Sequence, residues 1–155
     1  MLTVHVIKRF LLFWGIALGV IWADQQTKSW IQSFLADHGG VFVMAPCLSL
    51  VRVWNKGISF GLFDHMGTIW LFLVFVCIAV LFFTVRTYKD RSYWLVALYG
   101  LVTGGAVGNG IDRVRGGAVF DFIDFHWGSV HFPAFNLADA SISVGAVLLA
   151  FFYRK

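Results

Sequence analysis

Residues 92–111 read SYWLVALYGLVTGGAVGNGI and contain no charged side chain over twenty positions. At 1.5 Å per residue, a helix of this length spans about 30 Å, which matches the hydrocarbon core of a bilayer. The small residues from Gly104 to Gly110 are typical of membrane helices that pack closely against one another. This stretch therefore predicts a membrane-spanning helix with close helical neighbours.

Three further uncharged, apolar segments lie on either side of this stretch, and the whole chain has the composition of a membrane protein. Of its 155 residues, 59% are hydrophobic and only 13% are charged, which excludes an ordinary soluble domain. We expect one integral membrane domain over residues 1–155, an all-α membrane bundle. Its four transmembrane helices are predicted at about 10–29, 67–85, 92–111 and 137–153.

The two longer connections, about 32–66 and 112–136, carry strand patterns. Residues 47–54 alternate and are rich in β-formers, and Asn55 to Gly57 supplies turn chemistry. Residues 119–126 alternate in the same way. A small extramembrane β-rich element on the outer face is therefore expected.

The basic residues predict the orientation of the bundle. Cytoplasmic loops carry an excess of lysine and arginine, so both termini are expected in the cytoplasm and the connections at 32–66 and 112–136 outside. A cleaved signal peptide is the competing interpretation of the first segment, but Ile21-Trp22-Ala23 is a poor cleavage site. The basic residues on the predicted inner side are Lys8, Arg9, Arg86, Lys89, Arg91, Arg154 and Lys155.

Carboxylates adjoin three of these helices. The first and last apolar segments are too short to bring Asp24 and Asp139 into open water, and Asp112 lies at the outer boundary of the third helix. Carboxylates facing lipid are costly, so these should face the bundle interior and find partners there. A polar pocket that opens outward is predicted.

Each of these carboxylates also has a purely structural interpretation. Asp24 and Lys28 can form an i, i+4 pair, and Asn136 with Asp139 can cap a helix. Asp112 is unfavourable at a helix C-terminus, where Arg113 is expected to offset it.

Asp121 lies between Phe120 and Phe122, and burial there should raise its pKa. A metal site is a weaker interpretation of Asp124, His126 and His131, because the three lack a recognised ligand spacing. No serine or cysteine has the context of a covalent nucleophile. A pair of carboxylates remains as the candidate chemistry.

Five motifs, taken in order, resemble the signatures of bacterial lipoprotein signal peptidase, also called signal peptidase II, over nearly the whole chain. The resemblance implies a membrane aspartic endopeptidase that removes the signal peptide of a prolipoprotein by cleaving before a diacylglyceryl-modified cysteine. The motifs are DQQTK at 24–28, NKGISFG at 55–61, GGAVGNGIDR at 104–113, VFDF at 119–122 and FNLAD at 135–139.

The resemblance also implies the roles of individual residues. The catalytic pair falls on Asp121 and Asp139, and Asp112 is the chief rival for one of these places. We predict that Asp139, at a helix N-terminus, is the general base and that Asp121 holds the shared proton. Residues expected to shape the site or contact substrate are Asp24, Lys28, Asn55, Gly57, Asn109, Asp112, Arg113, Asn136 and Ala138.

The implied partners are the diacylglyceryl-modified prolipoprotein and membrane lipids, with no nucleic acid, no metal and no organic cofactor. We expect a monomer in the bacterial cytoplasmic (inner) membrane with its active site toward the outer face, and the 32–66 connection is a hypothetical lid. Two rival functions stay open at this point. Buried aspartates also suit a small proton-coupled transporter, and glycines with aromatics would suffice for a non-catalytic lipid-binding or assembly subunit.

Overall fold

The computed structural model describes residues 2–56, 65–89 and 92–152, and within these ranges the chain forms four helices and four strands. The helices are α1 (Leu2–Asp37), α2 (His65–Lys89), α3 (Tyr93–Gly116) and α4 (Leu137–Phe152). The strands are β1 (Val41–Ala45), β2 (Leu48–Asn55), β3 (Val119–Trp127) and β4 (Val130–His131).

Helix α3 is the centre of the bundle and contacts the other three helices. Its glycines allow this close approach: a Cβ on Gly104 would lie 2.7 Å from the carbonyl oxygen of Ala17 in α1. A Cβ on Gly105 would lie 2.5 Å from the carbonyl oxygen of Ala138 in α4. The predicted use of these glycines for helix packing is therefore confirmed.

The bundle has an inverted distribution of polarity. Asp24, Lys28, Asn109 and Asn136 are buried, while large apolar side chains are exposed. On α1 the exposed apolar residues recur every three or four positions and form a continuous stripe, as expected of a helix face in contact with lipid. The stripe consists of Val4, Ile7, Leu11, Trp14, Leu18 and Trp22.

Two of the helices, Val4–Asp37 and Tyr93–Gly116, are long and apolar enough to cross a membrane among the residues described. Helix α4 is a shorter apolar helix of 16 residues. Helix α1 extends beyond the predicted range 10–29 at both ends, with 36 residues. It is therefore about 54 Å long, which exceeds the ~30 Å hydrocarbon core.

The C-terminal part of α1 leaves the bundle and supports the sheet. Ile31 and Leu35 are buried against Phe120 and Phe122 of β3. This packing explains why the helix continues to Asp37, where the sequence predicted only a connection. The sheet thus rests on a helix that is itself anchored in the bundle.

The sheet joins the two predicted outer connections into one antiparallel structure with the strand order β1-β2-β3-β4. Between β2 and β3, Val53 is opposite Asp121 and Asn55 is opposite Val119. Gly117 ends α3 in the left-handed conformation (φ 69°), and β3 starts two residues later. This turn is the link between the bundle and the central strands.

We expect Gly105→Ala to lower the free energy of unfolding by about 1–3 kcal/mol, because the added methyl group cannot fit against the backbone of α4. Gly19→Ala is the matched control, since a Cβ on Gly19 meets nothing within 4 Å. Thermal unfolding of both purified variants in the same detergent measures the difference. Equal unfolding temperatures would show that the contact between α3 and α4 is not tight.

Candidate active site

A buried lysine lies at the centre of the polar interior. The Lys28 Nζ donates to Asp24 Oδ2 at 2.8 Å, to Asp112 Oδ2 at 2.8 Å and to Asn109 Oδ1 at 3.0 Å. These three acceptors match the three hydrogens of an ammonium group. The predicted pair of Asp24 and Lys28 is confirmed, and Lys28 joins α1 to α3 in addition.

The side-chain amide of Asn109 links Lys28 to Asp139 by hydrogen bonds. Because Lys28 can only donate, it holds the Oδ1 of Asn109 on its own side, so that the Nδ2 of Asn109 points away. That Nδ2 donates to Asp139 Oδ1 at 2.8 Å.

Asn136 bonds to both candidate catalytic carboxylates. Its side-chain Nδ2 donates to Asp121 Oδ1 at 2.8 Å, and its backbone N–H donates to Asp139 Oδ2 at 3.2 Å. The same Nδ2 also approaches Asn109 Oδ1 at 3.1 Å. A single residue therefore connects Asp121, Asp139 and the amide that Lys28 orients.

The N-terminus of α4 is capped by these side chains. Asn136 Oδ1 accepts from the Asp139 N–H at 2.9 Å, while Asp139 Oδ2 accepts from the Asn136 N–H. This reciprocal pattern is a capping box, and it confirms the capping role predicted for the two residues. The backbone N–H of Ala138, in the first turn of α4, donates to Asp24 Oδ1 at 3.0 Å.

Backbone pairing brings the segment before α4 alongside β3. Ile123 and Phe135 exchange hydrogen bonds of 2.9 and 3.1 Å, which places Asn136 next to Asp121. The opposite neighbour of β3 is β2, from which Asn55 Nδ2 donates to Asp121 Oδ2 at 3.1 Å. Asp121 thus lies between amide donors on two sides.

The environment of Asp121 favours its protonated form. The residue is 1% exposed, and its pKa is raised from 3.8 to about 6, mainly by burial. The negative charge of Asp139 also raises the pKa, whereas the hydrogen bonds from Asn55 and Asn136 and the charge of Lys28 oppose the shift. The predicted direction of the shift is confirmed, and the dominant cause is desolvation.

Asp112, the sequence-based rival, has different partners. Its Oδ2 is 2.8 Å from Lys28 Nζ and also accepts weakly from the Phe120 N–H, and its Oδ1 accepts from Gln25 Nε2 at 2.8 Å. Lys28 thus supplies a close counter-charge where the sequence suggested Arg113. The guanidinium of Arg113 also interacts electrostatically with the carboxylates, most strongly with Asp139 and then with Asp121 and Asp112.

Gln25 is a member of the network that sequence reasoning did not assign. Its Nε2 donates to Asp112 and lies 3.3 Å from both Asp24 Oδ2 and the Gly108 carbonyl, and its Oε1 accepts from Arg115. The sequence feature that could have indicated this role is the position of Gln25 three residues before Lys28, which puts both side chains on one face of α1.

The residues weighed as a metal site in the sequence fall outside this network. Gly57 lies outside the described residues. Asp124 pairs with His131 at 2.9 Å, and His126 contacts Ser49 Oγ at 3.0 Å. Over the described ranges, no group of three or more potential ligands has a metal-binding arrangement.

Comparison with known proteins identifies the family. The family model described as "Signal peptidase (SPase) II" matches residues 16–154. The lipoprotein signal peptidase of Anaplasma phagocytophilum is 43% identical over 90% of this chain and 91% of its own length. That of Oleidesulfovibrio alaskensis is 42% identical over 95% and 98%, respectively.

A solved structure agrees with these relatives. A bacterial membrane enzyme determined at 1.9 Å superposes with a TM-score of 0.74 at 32% identity and covers 88% of both chains. Residues 16–154, which the family model matches, contain the buried network and the sheet described above. The chain belongs to the signal peptidase II family.

Proposed function

We propose that this chain is an aspartic endopeptidase that removes the signal peptide of diacylglyceryl-modified prolipoproteins by cleaving before the lipidated cysteine. Asp121 and Asp139 are its catalytic pair in this proposal. Family membership makes the chain a lipoprotein signal peptidase, a membrane-embedded protease, and gives no support to the transporter alternative. The assignment of the two aspartates rests on their surroundings.

One observation carries the assignment: the buried network separates two kinds of carboxylate. Asp24 and Asp112 are ion-paired with Lys28, which stabilises their charge and occupies their oxygens. Asp121 receives hydrogen bonds from Asn55 and Asn136, and Asp139 from Asn109 and Asn136. Amide donors orient a carboxylate and carry no charge themselves, which leaves Asp121 and Asp139 able to exchange protons, and the charge of Arg113 acts on both.

The proposed chemistry uses one shared proton. Two interacting carboxylates do not both ionise readily, and the raised pKa of Asp121 favours this residue as the proton holder. Asp139 accepts a proton from water as the water attacks the scissile carbonyl, and Asp121 donates its proton to the carbonyl oxygen. As the tetrahedral intermediate collapses, Asp139 returns its proton to the leaving amine and Asp121 recovers one from a hydroxyl.

The remaining site residues support this pair. Lys28, with Asp24 and Asp112, holds Asn109 in place, and Asn136 orients both carboxylates through its side chain and backbone. Asn55 and Arg113 complete the surroundings of Asp121 and Asp139. Gly57 and Ala138 remain proposed substrate-contacting or site-shaping positions.

The proposed membrane arrangement has four transmembrane helices, both termini in the cytoplasm and the active site toward the outer face of the inner membrane. His5 contacts Tyr93 and Lys28 contacts Asp112, so α1 and α3 run parallel. The sheet and the buried carboxylates lie toward their C-terminal ends, away from Lys8 and Arg9 near the start of α1. We further propose a monomer in contact with lipids, with the 32–66 connection acting as a lid.

We expect Asp121→Asn and Asp139→Asn each to reduce cleavage by at least about a hundredfold, because each removes a group that transfers a proton. Asp112→Asn removes a counter-charge from Lys28 instead. It should lower thermal stability and retain a larger share of the activity than the other two variants. The measurement is the release of the signal peptide from a lipidated precursor by purified enzyme in detergent.

Thermal unfolding of the same preparations is the control, since the first two variants must remain folded for the comparison to count. Substantial activity in Asp121→Asn, together with an inactive but folded Asp112→Asn, would transfer the catalytic role to Asp112.

We expect the activity to fall as pH rises through about 6, because Asp121 must be protonated to donate. Asn55→Ala removes a hydrogen bond that lowers the pKa of Asp121, so it should move this decline to higher pH. The pH dependence of kcat/KM measures the shift. Ser49→Ala, on the same strand, is the matched control because its hydroxyl contacts His126, and an unshifted profile in Asn55→Ala would contradict the assignment.

A further inference from the structure

The hairpin of β3 and β4 has one apolar face and one polar face. Trp127 is opposite Val130, and the Phe132 N–H donates to the Phe125 carbonyl oxygen at 2.7 Å. Because side chains alternate along a strand and directly opposed residues point the same way, these four side chains share one face, the apolar hairpin face. The opposite face carries Asp124, His126 and His131.

The apolar hairpin face is uncovered. Trp127 is 85% exposed, Val130 72%, Phe132 62% and Phe125 47%. From position 125 to position 138, fourteen consecutive residues include no aspartate, glutamate, lysine or arginine. Soluble monomers seldom leave an apolar patch of several hundred Å² in contact with water. This face therefore needs a partner.

The apolar hairpin face adjoins the start of α4. The ring of Phe135, two residues before α4, lies 5.9 Å from that of Phe125 and 6.0 Å from that of Phe132. Helix α4 has 16 residues and is therefore about 24 Å long, less than the ~30 Å core that it is proposed to span. The chain just before α4 is thus at the level of the outer boundary of that core.

Lipid is the phase that this part of the chain meets. Val144, Val147 and Phe151 are exposed on α4, and their spacing of three and four residues puts them on one side of the helix. In a membrane-embedded chain such a helix side contacts acyl chains. The hairpin thus extends from the outer end of a helix that faces lipid.

We propose that the apolar hairpin face is immersed in the headgroup region of the outer leaflet and anchors the sheet to the lipid surface. Tryptophan is favoured at this level, because its ring is apolar and its N–H is polar. The hydrocarbon core itself is a poor medium, since β4 is the edge strand of the sheet and its outward N–H and C=O groups need partners. This contact rests on the proposed span of α4 and does not involve the proposed catalytic pair.

The test measures the depth of a spin label at the hairpin turn. Ser129→Cys, at an exposed turn position, is labelled in the full chain after Cys47→Ser and Cys77→Ser remove the two native thiols. The protein is reconstituted into phosphatidylcholine vesicles. Power-saturation electron paramagnetic resonance then compares collisions of the label with oxygen, which concentrates in lipid, and with a nickel chelate, which stays in water.

Asp37→Cys is the matched control, because Asp37 is exposed at the end of α1, about 12 Å beyond a ~30 Å core that begins at Arg9. We expect the ratio of oxygen to chelate collisions to be about tenfold higher at Ser129→Cys, since interfacial elements enter the boundary by about 5–10 Å. Adding Trp127→Ser and Val130→Ser should lower that ratio toward the control. Trp30→Ser, at an exposed tryptophan of α1, should leave it unchanged.

A third label, at Val147→Cys on α4, separates two kinds of failure. If this label is in lipid while Ser129→Cys has the collision ratio of Asp37→Cys, the hairpin is in water and the proposed contact fails alone. If the Val147→Cys label is in water, α4 does not span the bilayer and the contact fails with the proposed membrane arrangement.

A label at Ser129→Cys that is shielded from both oxygen and the chelate would show that protein covers the face, which would also overturn the lipid contact. Spin–spin broadening that disappears on dilution with unlabelled chain would identify that protein as a second copy.

Discussion

The buried ammonium group of Lys28 is the constraint on which the rest of the site depends. A lysine removed from water must have every hydrogen accepted, and here Asp24, Asp112 and the Asn109 side chain meet that demand. Because these acceptors belong to α1 and α3, satisfying one charge aligns two helices. Asp24 extends the effect to α4 by accepting the N–H of Ala138.

The orientation of Asn109 transmits this constraint to the carboxylates proposed to be catalytic. An amide that accepts on one side must donate on the other, and Asn109 donates to Asp139. Asn136 then links Asp139 to Asp121. Lys28 neutralises carboxylates on one side, whereas burial raises the pKa of Asp121 on the other side. Structural carboxylates and those proposed to be catalytic can therefore lie close together within one polar interior.

The sheet has a mechanical role in this arrangement. Asp121 is on a strand, yet the bundle holds Asp139, so the two must be brought to a common level. The end of α1 supports β3 through Ile31 and Leu35, and the pairing of Ile123 with Phe135 ties β3 to the start of α4.

The sequence by itself determined the membrane class of the chain, the helical use of the glycines, the Asp24 and Lys28 pair, and the capping by Asn136 and Asp139. All of these depend on composition or on spacings of three or four residues, which local geometry turns directly into contacts. Only the tertiary structure decided four further features. These are the continuation of α1 to Asp37, the pairing of two distant connections in one sheet, the position of Gln25, and the pairing of Lys28 with Asp112. Each joins residues far apart along the chain, and such pairings follow from how the helices pack and where strands find partners.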